Sequence, residues 1–145
     1  MTDHRSIGDS ASQPPSRTRE RRLTALCALV AGGSHIPLIS EHLREAPYIG
    51  WSFIVLVAAS VFIVIAVLRT DKPTIWIAVG LVYSVALIVY LLSRTAGLPQ
   101  IPDDVGNWTE PESFPALISE ALAVFLAVKM SVANFRDAPI ARQHA

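Results

Sequence analysis

Four apolar runs, each bounded by charge, proline or both, organise the chain: residues 23–39, 49–68, 74–92 and 114–132. The middle two hold 20 and 19 residues. At about 1.5 Å of rise per helical residue, such a run matches the roughly 30 Å hydrocarbon core of a bilayer. The last run is long enough too, although it carries Glu120 and Lys129. The first is the weakest, because Gly32, Gly33, Ser34, His35 and Pro37 dilute its second half. Its basic lead followed by a short apolar stretch also fits a secretory signal peptide. Against cleavage stand the long leading tail, the lack of a clear small-x-small site and Leu26 in front of Cys27, where a lipobox needs a small residue. The expectation is a retained helix and four spans.

The connections are short: 40–48, 69–73 and 93–113. Such links force antiparallel neighbours, so the expected fold is an all-α membrane protein, an antiparallel four-helix transmembrane bundle. Asp71 before Pro73, and Ser113 before Pro115, suit helix starts: the polar side chain accepts from free backbone donors, and proline lacks a donor that would go unused. Residues 1–22, rich in Ser, Pro and Arg without apolar period, are expected to be a disordered tail, and 134–145 a short tail.

Charge adds the orientation. Lysine and arginine total 12, as do aspartate and glutamate. That balance argues against a nucleic-acid partner, which calls for a basic excess. With the amino terminus in the cytoplasm, ten of the 12 basic residues fall inside, leaving only Arg44 and Arg94 outside. The positive-inside rule therefore puts both termini in the cytoplasm, with Arg17, Arg19, Arg21 and Arg22 as orientation signals beside the first span. The outer loops then carry six carboxylates, Glu41, Glu45, Asp103, Asp104, Glu110 and Glu112.

With His35 and His42, that acidic face suits a divalent-metal site, imidazole plus carboxylate, and the candidate ligands are His35, Glu41, His42, Asp103 and Glu120. No H-x-x-H or H-E-x-x-H spacing is present, and acidic outer loops are also what positive-inside bias leaves behind. The solvated-loop reading is the stronger of the two. Glu120 is sharper: it lies about 9 Å below the start of the last span, where an unpaired carboxylate is costly. His35 sits at a comparable depth, so a His35–Glu120 pair is the leading expectation, with Arg94 and Tyr90 as alternative partners. Pro37 should kink the first helix and free the Gly33 carbonyl toward the same region.

Other residues point to packing. Gly80 and Ser84, and Ser119, Ala123 and Ala127, recur at four-residue spacing, which lets helices approach closely within the chain or between chains. Tyr48, Trp51, Tyr90 and Trp108 suit one membrane interface and Trp76 the other. A b-type haem lacks a second imidazole at matched depth, soft copper lacks outer sulfur ligands, and no nucleophile–base order emerges. The Asn107-Trp-Thr sequon is a short pattern common by chance.

The stretches Glu41-His-Leu-Arg-Glu-Ala-Pro-Tyr-Ile-Gly50, Ser93-Arg-Thr-Ala-Gly-Leu-Pro99 and Asp103-Asp-Val-Gly-Asn-Trp-Thr-Glu-Pro111 resemble segments of small, uncharacterised four-span membrane proteins of actinobacterial type. The resemblance covers the hydrophobic body. It implies a bacterial plasma membrane and brings no activity, cofactor or catalytic residue. The expected function is a non-enzymatic accessory or structural membrane subunit without a cofactor, whose partners are the lipid bilayer and other membrane proteins or further copies of itself. The alternative is an outward-facing protein that binds or moves a divalent cation or a proton through His35 and Glu120.

Overall fold

A computed structural model describes residues 15–111 and 113–143. Of the expected leading tail, residues 1–14 lie outside the described residues, as does Glu112. The elements are α1 (Pro15–His35), α2 (Ile39–Glu45), α3 (Pro47–Arg69), α4 (Pro73–Thr95), a 3-10 turn (Pro102–Asp104) and α5 (Ser113–Gln143). Among the described residues there is no strand. Helix α3, helix α4 and residues Ser113–Arg136 of α5 are long and apolar enough to cross a membrane, and the α1–α2 pair makes a fourth span if its two pieces count as one. The chain is an all-α protein of multi-pass membrane type.

Three boundaries differ from expectation. Residues 15–22 belong to α1 instead of a tail. Arg and Glu are good helix formers, and the side chains of this turn find partners on neighbouring helices. Arg17 donates to Asp71 at 2.5 Å and to Asn134 at 2.8 Å, while Arg21 donates to the carbonyls of Val67 and Leu68 at 2.6 and 2.5 Å. The two carbonyls belong to the last turn of α3, where no following helical N–H reaches them. Helix α2 (Ile39–Glu45) takes in residues 40–45, expected in a loop, and is bent 49° from α1. Between them the Ile36 N–H donates to the Gly33 carbonyl at 3.2 Å, so the carbonyl expected to be free is occupied. The segment from residue 134 continues α5 instead of forming a tail.

Proline starts α3 and α4, where its missing donor costs nothing, but Asp71 does not cap α4. It accepts from Arg17 and from the Trp76 indole N–H at 2.7 Å instead. Trp76 is fully buried and is a core residue, not an interfacial anchor. Ser113 likewise lies inside the first turn of α5 and donates to Glu110 at 3.1 Å.

These bonds define a basic end, where the start of α1, the α3–α4 turn and the later part of α5 meet. At the opposite, acidic end stand α2, the start of α3, the end of α4 and the 93–113 loop. Helix α1 packs on α3 and α5, and α4 on α5, whereas α3 and α4 touch each other least among these pairs. Small residues allow the close pairs: Ala28, Ala31, Ala123 and Ala127 lie in the core with Val67, Val79 and Tyr83. Where α1 crosses α3, a Cβ on Gly32 would stand 2.9 Å from the Ser60 Cβ.

Candidate functional site

The sparse contact between α3 and α4 leaves a cavity of about 790 Å³ that runs from the acidic end down between these helices. Ligand pockets span about 300–1,000 Å³, so its size suits a small molecule. Its lower walls are apolar, with Val55 and Ala59 from α3 and Leu81, Val85 and Ala86 from α4. Val55 and Leu81 are each 65% exposed, which makes the cavity a cleft open on its side. At its acidic end stand His35, Glu41, His42, Glu45, Arg94, Asp104, Glu110 and Glu120.

Four of the five candidate ligands therefore line one cavity: His35, Glu41, His42 and Glu120. Asp103 is exposed in the 3-10 turn and does not line it; its neighbour Asp104 does. Among the described residues no three His, Cys, Asp or Glu side chains come together closely enough to hold a metal ion. Each histidine turns back on its own helix, His35 Nδ1 donating to the Ala31 carbonyl at 2.8 Å and His42 Nδ1 to the Leu38 carbonyl at 3.0 Å. Both rings close edge-on against Phe53, at centroid distances of 4.8 and 5.0 Å. Phe53 was not legible as a site residue, since nothing marks one aromatic in an apolar run as the spacer between two imidazoles.

Arg94 organises the rim. Its guanidinium is 6% exposed, forms ion pairs with Asp104 at 3.0 Å and with Glu110, and lies 5.1 Å from the centre of the Tyr90 ring. The Arg94 carbonyl also accepts from the Gly106 N–H at 2.9 Å, and the Tyr48 hydroxyl donates to the Pro99 carbonyl at 2.6 Å. The 93–113 loop is thus tied down on both α3 and α4, as a folded cap should be. A paired, largely desolvated arginine holds such a loop better than an exposed one, because its charge-assisted bonds compete with little water.

Glu120 lies beneath this rim, one turn below Ala116, and is 2% exposed. Its Oε1 has no hydrogen-bond partner among the described residues. The expected His35–Glu120 pair is not formed, and neither Arg94 nor Tyr90 takes its place: His35 is committed to Ala31 and Arg94 to the loop carboxylates. The other charge in this span behaves differently, for Lys129 donates to Glu20 of α1. Below Glu120, the Tyr83 hydroxyl donates to Ser60 Oγ at 3.0 Å, a buried bridge between α4 and α3. What the arrangement offers chemically is one buried carboxylate just beneath the acidic, aromatic rim of an apolar cleft.

Fold and cavity together define a multi-pass helical membrane protein with a side-opening pocket. No protein-family model matches the chain, and no curated protein or solved structure matches it.

Proposed function

We propose that the chain is a non-enzymatic four-helix bundle of the plasma membrane, both termini cytoplasmic, that holds a proton or a cationic group at Glu120 in an outward-opening cavity. The observation that carries this reading is the Glu120 carboxylate, buried, unpartnered and lining the cavity. A carboxylate at membrane depth needs a compensating charge, and when protein supplies none, a proton or a bound cation does so. The divalent-metal form of the idea draws less support, since its ligands do not converge. So does a role as an accessory subunit built on small-residue faces: a Cβ on Gly80 would already touch Ala127 of the same chain at 3.5 Å, so that face is used internally.

A hydrophobic carbodiimide tests the reading, because it enters from the lipid phase and adds to protonated carboxyl groups. Mass spectrometry of the treated protein is expected to find the adduct on Glu120 and not in the Glu120→Gln protein. A Glu120 that stays unmodified while exposed carboxylates such as Glu45 react would overturn the proposal.

A further inference from the structure

The cavity is two-sided in its chemistry. Among the described residues five carboxylates line it, Glu41, Glu45, Asp104, Glu110 and Glu120, against one guanidinium, and that guanidinium already belongs to Asp104 and Glu110. Among the described residues a phosphate-bearing headgroup would find there no guanidinium or ammonium that is not already paired, beside the imidazoles of His35 and His42, and would face an excess of carboxylates. A positive group is favoured at this end, and Glu120, whose buried Oε1 has no partner among the described residues, stands beneath the rim. Aromatic rings flank the path: Tyr48, Phe53 and Tyr90 line the cavity, and cations gain about 0.5–2 kcal/mol over such faces. Below the acidic end nothing polar continues. The cleft between α3 and α4 is walled by aliphatic side chains of the apolar helices, of which Val55, Leu81 and Val85 are more than half exposed.

A bare inorganic ion gains nothing from that apolar half, and a neutral hydrocarbon gains nothing from the acidic half. Resting on the reading of Glu120 as a proton- or cation-holding group, we propose that the cavity binds amphiphilic organic monocations. Such a molecule carries one positive charge on a bulky apolar body. It enters sideways through the α3–α4 cleft, its body lies against Val55, Leu81 and Val85, and its charge is held at Glu120. The acidic rim raises the local concentration of such molecules: Arg94 occupies Asp104 and Glu110, and Glu41 and Glu45 leave the rim with an excess of carboxylates.

The test uses the full chain purified in detergent and tetraphenylphosphonium, a permanent cation that carries no proton. Equilibrium dialysis is expected to show saturable binding at one site per chain. Because a desolvated charge-assisted contact is worth more than about 1.4 kcal/mol, Glu120→Gln is expected to weaken it by about tenfold or more. Ala86→Trp, which fills the cleft and leaves the carboxylate in place, is expected to weaken it comparably. Should Glu120→Gln fail to fold, protection serves instead: tetraphenylphosphonium is expected to slow carbodiimide modification of Glu120 in the unaltered protein. Equal binding by wild type and Glu120→Gln, equally tight binding of the anion tetraphenylborate, or absence of protection would each overturn the proposal. If Glu120 takes the carbodiimide yet tetraphenylphosphonium does not bind, only the ligand class falls. If the carbodiimide fails as well, the proton- or cation-holding role falls with it.

Discussion

A buried carboxylate without a partner loses its hydration and recovers nothing from the protein, at a cost of about 1–3 kcal/mol by mutational measures. Glu120 is such a group. Replacing it by leucine removes that cost and strands no neighbour, because His35 already donates to Ala31 and Arg94 to its loop carboxylates. Glu120→Leu is therefore expected to raise the thermal midpoint of the detergent-solubilised protein, by an amount equivalent to about 1–3 kcal/mol. The same change should remove the carbodiimide adduct, a trade of stability for function common at binding sites. A double-mutant cycle with His35→Ala is expected to be additive within about 0.5 kcal/mol, as for residues without shared contacts. Coupling well above that in the thermal data would mean that the two side chains meet in solution after all.

At the scale of elements, α2 is held by a close backbone crossing. A Cβ on Gly50 would stand 2.6 Å from the Leu43 backbone nitrogen and 2.8 Å from its Cα, atoms that cannot swing aside. Gly50→Ala is expected to destabilise the α2–α3 hairpin by about 1–3 kcal/mol, with faster amide exchange over residues 39–45 as its local signature. At the other end, Asp71 serves two donors, Arg17 and the indole of fully buried Trp76. Asp71→Ala leaves that indole N–H unsatisfied, at about 1–3 kcal/mol, and a red shift in tryptophan emission should report water reaching it. Span positions were legible because a run of 19 or 20 apolar residues is a length signal independent of its neighbours. Helix α2 and the first turns of α1 were not, since charged residues read as solvated until the carbonyls and carboxylates that accept from them are known. The cavity was legible in part: His35, Glu41, His42 and Glu120 were singled out by type and depth. Their partners were not, because each imidazole bonds a carbonyl four residues back on its own chain segment and packs on Phe53, and no residue pattern says that an imidazole turns to its own backbone instead of to a carboxylate.

For the whole molecule the remaining variable is the side on which the cavity opens. Basic residues set orientation when they flank spans in short loops, whereas Asp and Glu contribute little. The fold gathers the starts of α1 and α4 and the later part of α5 at one end, joined by Arg17, Asp71, Asn134, Glu20 and Lys129. Those ion pairs form after insertion and do not cancel the bias that guides it, so the ten-to-two distribution of basic residues should still act in full. Cys27, the single cysteine, is buried, so the native chain gives little background with a membrane-impermeant maleimide. Asp103→Cys places a thiol on the exposed 3-10 turn at the acidic end, and Lys72→Cys places one in the α3–α4 turn at the basic end. In intact cells, Asp103→Cys is expected to react and Lys72→Cys to react only after permeabilisation. The reverse pattern would turn the Glu120 cavity toward the cytoplasm, and reaction at both positions would mean that the chain inserts in two orientations.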